Sequence, residues 1–351
     1  MDVPPFELER FFAEHEHGNL MLAESGIRPL PASEFDLDPG PFHYTIPTAG
    51  DPDLRATVGE RYGRPAEEVL FTCGTQEANF VTFLSVLDSD DHVVVVTPTY
   101  QSLHALPETF ASVTRVELSA PDWSLDPARV AEAVRPETAL VVLNNPNNPT
   151  GRYHDESTVR AVYETAADAG AYLLCDEVYR LLAPDPLPPV ASFGEWGLST
   201  SGLSKSFGLA GLRFGWLAGA SEVVERAARW KDYTTIAPPL ASQHVARQAL
   251  ERTGELLARN REHATRNREL LRAFLETHGL DWYEGVGVNA FPEIPPGYDS
   301  GLAFCEAAVE EAGVVLAPGD TFGRPDRFRI GFGGEREELR TGLSRLDSML
   351  E

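Results

Sequence analysis

Three short runs, Val93–Val96 (VVVV), Ala139–Leu143 (ALVVL) and Tyr172–Cys175 (YLLC), constrain the fold of this chain more than any other feature. Each is too short for a buried helix, and each lacks the polar alternation of a strand with one wet face. Continuous apolar runs of this length suit strands buried on both faces, which occur in parallel sheets covered by helices. The same rhythm extends from about residue 53 to 220. Candidate strands are Val69–Thr72, Val93–Val96, Val113–Leu118, Ala139–Leu143, Tyr172–Cys175, Ser199–Gly202 and Phe214–Ala218, with helical patterns at Gln76–Leu87 and Asp155–Ala169.

After Pro238-Pro239 the pattern changes. Leu240 to Thr277 reads as one long helical stretch, and short apolar runs near Gly287–Phe291, Val314–Leu316 and Phe328–Ile330 precede a closing helix from Glu335. These features predict a smaller α+β domain that the N-terminal segment joins. The 351 residues suit two packed domains, a large one over 45–240 and a small one over 1–44 and 241–351. Arg259, Arg261, Arg266, Arg268 and Arg272 read as a solvated helix face.

Charge narrows the setting. Acidic residues number 54 against 29 basic ones, a formal net charge of −25, and the only lysines are Lys205 and Lys231. Such a surface suits molar salt, where self-repulsion is screened over about 3 Å, and it predicts a halophilic source. It also argues against nucleic acid as a partner. No run approaches the ~18 apolar residues of a membrane span, and the opening MDVPPFELER does not read as a secretion signal. The expectation is a soluble, cytoplasmic protein with no membrane partner. Cys73, Cys175 and Cys305 lack CxxC spacing, and Cys73 and Cys175, which end apolar runs, read as buried thiols. His15 and His17 read as a polar helix face, and no metal is expected.

In open parallel sheets, ligands sit beyond the carboxyl ends of the strands. Five groups of residues fall there. Gly74, Thr75 and Gln76 follow a strand and open a helix, where free amides bind an anion such as phosphate, although a plain strand–helix turn looks similar. Tyr100 can stack on a planar ring or simply pack. The loop Asn144–Gly151, NNPNNPTG, is held rigid by its prolines and can offer an amide to a ring oxygen. Asp176 ends an apolar strand, where a carboxylate is costly unless paired; a protonated pyridine nitrogen or a helix N-cap role would each account for it. Finally, SGLSKSFG from Ser201 to Gly208 is followed by Arg213 in GLRFGW, which fits a nucleophilic amine on Lys205 beside a phosphate clamp.

NNPNNPTG, CDEVY, SGLSKSFGLAGLRFGW and FRIGFG together resemble the class I/II aminotransferase family of fold-type-I pyridoxal-phosphate (PLP) enzymes, over essentially the whole chain. The resemblance implies an α/β fold with a mostly parallel sheet in a large domain and a smaller α+β domain. It implies PLP held as a Schiff base on Lys205, which also shuttles the substrate proton. Asp176 would keep the pyridine nitrogen protonated. Asn148 and Tyr179 would hold the phenolic oxygen, and Tyr100 would stack on the ring. Gly74, Thr75, Gln76, Ser204 and Arg213 would bind the phosphate, and Arg329 would clamp the substrate carboxylate, with Asn148 beside it. The substrates would be an amino acid and a 2-oxo acid, and the assembly a homodimer with shared active sites.

Three departures stand out. Gly202 replaces a serine that the family often uses for phosphate, leaving Ser201 or Ser206 to substitute. Tyr44 lies one position early for the tyrosine that reaches the partner subunit. The stretch Gly285–Pro296 is compact, which suggests a trimmed substrate entrance. PPFELERFF, RWKDYTTIAPP and APGDTFGRPDRFRIGF are similar to the subgroup that includes capreomycidine synthase, so a PLP lyase or cyclase acting at Cβ or Cγ is the alternative reaction. A PLP-binding regulator is disfavoured by the charge. A nicotinamide dehydrogenase is disfavoured because neither GVG at Gly285 nor GFGG at Gly331 opens a βαβ unit.

Overall fold

The computed structural model describes residues 3–44 and 47–351. Met1 and Asp2 lie outside the described residues, as do Thr45 and Ile46, where the sequence sets the first domain boundary. Strand β1 is Leu20–Met21, and β2 to β8 are Val69–Thr72, His92–Thr97, Ser112–Glu117, Thr138–Asn144, Tyr172–Asp176, Gly197–Gly202 and Gly215–Ala218. Strands β9 to β12 are Asn289–Ala290, Val314–Val315, Ala317–Pro318 and Phe328–Gly331.

Strands β2 to β8 form one seven-stranded sheet in the order β2-β8-β7-β6-β5-β3-β4. Only β8 runs against its neighbours; every other pairing is parallel. All seven predicted strands are present, each within two residues of its expected bounds. Central strands carry the apolar runs because both faces are covered: Val93 to Val96 are at most 1% exposed. Each such side chain contributes roughly 1.5–3 kcal/mol when fully buried. The edge strand β4 tolerates the polar sequence SVTRVE, with only Val116 buried.

Local signals place the covering helices. Helix Pro52–Tyr62 starts with Asp51, whose side chain accepts from the Leu54 amide at 2.8 Å, and stops at left-handed Gly63. Helix Thr75–Val86 starts at Gly74, whose φ of +87° favours glycine. The predicted Leu240–Thr277 stretch is two helices, Leu240–Glu251 and Thr253–Thr277. The break at Arg252 is held by Arg61, which donates to Leu250 O at 2.8 Å and to Thr253 Oγ1 at 2.9 Å.

The arginine row on the second of these helices is more engaged than a solvated face. Arg259 pairs with Glu34 at 2.9 Å and Arg272 with Glu284, while Arg261 and Arg268 donate to Leu181 O and Gly287 O. Arg266 alone of the row is exposed, against Glu262.

The remaining strands lie outside the large sheet. β1 pairs in parallel with β10, and β11, β12 and β9 form a three-stranded antiparallel sheet. This α+β part docks on the asparagine-rich loop, where Val286 N donates to Gly151 O at 2.7 Å. Beyond β1 the chain passes the lysine segment, with Ile27 N donating to Lys205 O at 3.2 Å and Leu30 N to Gly208 O at 3.0 Å. Residues distant in sequence thereby meet at the carboxyl ends of β2, β5, β6 and β7. Among the described residues no helix is long and apolar enough to cross a membrane, and no group of three metal-ligating side chains occurs.

Candidate active site

A cavity of about 250 Å³ opens at those strand ends. Nine residues singled out from the sequence line it: Thr75, Gln76, Tyr100, Asn148, Asp176, Tyr179, Ser204, Lys205 and Arg213. Lys205 projects its amine into this space and donates to Ser25 Oγ at 2.8 Å. Asp176, 7% exposed, accepts from Asn79 Nδ2 at 2.9 Å and from the Val178 amide at 3.1 Å. Burial pushes its carboxyl above the ordinary range; the bonds from Asn79 and Val178 and the Lys205 charge only partly offset this. Asn79 is itself fixed by Thr200 Oγ1, which donates to its Oδ1 at 2.6 Å.

At one end of the cavity Arg213 and Gly74 meet. A β-carbon on Gly74 would stand 2.6 Å from Arg213 Nη2, so only glycine lets the guanidinium lie over the start of helix Thr75–Val86. Thr75 Oγ1 is buried there without a hydrogen-bond partner. Gln76 accepts from Ser102 Oγ at 2.9 Å. Arg213, left-handed at φ 52°, donates from Nη1 to Ala210 O at 3.1 Å.

At the other end, Asn144 Oδ1 accepts from the Asn148 amide at 2.6 Å, which fixes the loop, and Asn148 Oδ1 accepts from Arg329 Nη1 at 3.0 Å. Arg329 stands behind Asn148 and does not line the cavity wall. It is 1% exposed, donates from Nη2 to Ala23 O at 2.8 Å, and its Nε has no partner. Its hydrogen-bond partners are neutral oxygens, so this buried cation has no direct ion pair among the described residues and feels the Glu24 and Glu9 carboxylates only at longer range. Burial lowers its pKa, against the nearby Tyr179 and Tyr100.

Tyr100 donates its hydroxyl to Glu9 Oε1 at 2.9 Å and packs against Phe6 at 5.2 Å between ring centroids. Burial first, then the Glu9 carboxylate, pushes its phenol well up. Asn144, at the start of the predicted loop, lines the cavity too, as do Glu9, Ser25 and Asn79, which were not singled out from sequence. Asn79 carried a signal, since a 1%-exposed amide in the apolar run ANFVTFL calls for a buried polar partner. Glu9 and Ser25 carried none, because the pairing of β1 with β10 brings them here.

Residues 21–346 match the model for aminotransferase class I and II. The chain belongs to that family. Capreomycidine synthase of Streptomyces vinaceus is 32% identical, over 87% of this chain and 80% of that protein. The aspartate/prephenate aminotransferase of Thermus thermophilus is 30% identical, over 87% and 82%. The crystal structure of a PLP-dependent aminotransferase from Streptococcus suis superposes with a TM-score of 0.94 at 30% identity, covering 100% of this chain and 98% of the other. The fold is that of the PLP-dependent aminotransferases, the cofactor is PLP, and the chain is a transferase of this class.

The residues present fit that cofactor. Thr75 Oγ1 is an unpartnered buried hydroxyl, Gly74 and Arg213 form a cradle that a β-carbon would fill, and Asp176 is a buried carboxylate facing an amine. The Gly202 departure has a steric cause. A β-carbon there would meet Phe214 O at 2.7 Å and Thr75 Oγ1 at 2.8 Å. Neither suggested substitute lines the cavity, and Ser206 Oγ is turned to Val178 O, to which it donates at 2.8 Å. Gly202→Ser should therefore cost about 1–3 kcal/mol of stability and weaken PLP binding, both readable in thermal melts and a PLP titration. A serine that tightened PLP would contradict this packing.

Asp176→Asn separates stability from function. In the cofactor-free protein the raised Asp176 pKa gives stability that is full below the unfolded value, about pH 4, and is lost as pH rises through the folded value. The variant should lose this pH slope while its PLP affinity and turnover fall. Melting curves of the PLP-free proteins across pH test the first part; an unchanged slope would place the titration elsewhere.

Proposed function

We propose that Lys205 carries PLP covalently and that the enzyme moves an amino group between an amino acid and a 2-oxo acid. The observation that carries this reading is one cavity joining the Lys205 amine, the buried Asp176 carboxylate and the Gly74–Arg213 cradle. When bound, PLP supplies an electron sink for the pair left by a broken Cα bond. Asp176, held by Asn79, keeps a proton on the ring nitrogen. Asn148 and Tyr179 bind the ring oxygen and Tyr100 covers a ring face. Gly74, Thr75, Gln76, Ser204 and Arg213 hold the phosphate. The substrate carboxylate falls to Arg329, whose planar fork suits it and which stands directly behind Asn148, so binding there requires the substrate to displace Asn148 Oδ1 from Nη1. The Lys205 amine, next to Ser25 Oγ, would be placed to move a proton between the substrate Cα and the cofactor C4′.

A second reading, elimination or cyclisation at Cβ or Cγ, draws support from Glu9 and Ser25. A carboxylate and a hydroxyl in the cavity can move a proton beyond Cα, and capreomycidine synthase is among the relatives. Incubation of the PLP-loaded enzyme with amino acids, with and without a 2-oxo acid, separates the two. Formation of a new oxo acid only with an acceptor supports transamination; product without any acceptor supports the second reading.

Residues 45–240 are the part we assign to cofactor binding, with 1–44 and 241–351 as the smaller domain. A homodimer with shared active sites is supported by Tyr44 and Phe42, each 84% exposed, and by Tyr233 at 88%. Free thiols at Cys73, Cys175 and Cys305 suit a reducing cytoplasm. The charge of −25 supports a halophilic source, so the assays belong in molar salt with a low-salt comparison.

A further inference from the structure

Lys231 is the second of two lysines in the chain, and it is 1% exposed. Its Nζ lies 3.5 Å from Glu77 Oε2 and donates to Thr235 Oγ1. Glu77 sits in the first turn of helix Thr75–Val86, directly after the phosphate residues, and folds back over that turn. Its Oε2 accepts from the Cys73 amide at 2.6 Å, and its Oε1 accepts from Thr234 Oγ1 at 2.7 Å and Thr235 Oγ1 at 2.6 Å. Burial would push the Glu77 carboxyl up, but the bonds from Thr235, Cys73 and Thr234, with the Lys231 charge, hold it below the ordinary range.

A carboxylate in this position steadies the helix start, as in a capping box. It also puts a negative charge beside the amides that a phosphate dianion needs, and the two anions compete for the same positive helix end. We infer that Lys231 is a positioning residue that neutralises Glu77, so that the Gly74–Thr75–Gln76 turn accepts the PLP phosphate. This rests on the cofactor reading above. A compact ammonium suits the pocket, where Nζ meets Thr235 Oγ1 and Glu77 Oε2 as a single point charge. In a chain that otherwise uses arginine for its cations, that requirement accounts for the lysine.

The test compares PLP with pyridoxal, which lacks the phosphate, by equilibrium titration of the PLP-free protein followed by absorbance. Lys231→Met should weaken PLP about tenfold or more while leaving pyridoxal nearly unchanged. Glu77→Gln should shift the PLP-to-pyridoxal preference the other way. The double variant should return it towards wild type, a rescue that a purely structural role for Lys231 does not produce. If Lys231→Met does not fold, Glu77→Gln and the double variant still decide the matter. An equal preference in all the proteins that fold would overturn the inference. Wild-type protein that binds neither compound would instead bring down the cofactor reading, and this inference with it.

Discussion

Replacing Lys205 with alanine is expected to lower turnover by about 10⁴-fold or more while leaving the protein folded. Two roles disappear together, the covalent hold on the cofactor and the proton transfer at the substrate Cα. The fold should survive because the side chain is only half-buried and, among the described residues, its one hydrogen bond is to the Ser25 hydroxyl. Losing that bond costs about 1 kcal/mol. A small alkylamine added to the variant should restore part of the rate, since it can stand in for the proton carrier. Rates measured with and without the amine check both halves. A variant with near wild-type turnover would mean that the amine is not in the chemistry.

Arg329→Leu is expected to lower kcat/KM for amino acids by about 10²–10³-fold, from the loss of a buried charge-paired contact. The cofactor-free protein should not lose stability to match. Arg329 is fully buried, its partners are the neutral oxygens of Asn148 and Ala23, and burial already lowers its pKa. An apolar side chain of similar volume removes that desolvation cost. Arg329→Lys should fall between the two proteins, keeping the charge and losing the planar fork. The decisive comparison is an amino acid against the corresponding amine without its carboxylate. Wild type should prefer the amino acid strongly and Arg329→Leu should not. A variant that kept the full preference would move the carboxylate site elsewhere, with Arg213 the next cation to examine.

The strands were legible because burial on both faces leaves nothing for polar residues to do; VVVV, ALVVL and YLLC could hardly be anything else. Their order was not. Nothing in GWLA announces that β8 inserts between β2 and β7 and runs against both, since edge and centre differ by long-range pairing. The break at Arg252 was hidden for a similar reason: the donor that fixes it, Arg61, lies far away in sequence. At the site, residues next to strand ends could be read, because a parallel sheet sends all its carboxyl ends to one edge. Ser25 and Glu9 could not, because their place depends on how the N-terminal segment threads past Lys205. Gly202 looked like a missing phosphate donor. The packing of Phe214 O and Thr75 Oγ1 around it instead leaves no room for a side chain, and Thr75 is the unpartnered hydroxyl in that corner.

With two lysines in the chain, the central claim reduces to a choice that one measurement makes. PLP-loaded protein is reduced with borohydride, digested and mapped by mass spectrometry for the pyridoxyl group. The account predicts the group on the peptide carrying Lys205, with bleaching of the visible absorbance band, and no label on Lys231. A label on Lys231, or a folded protein that takes up no label at either lysine, would contradict it.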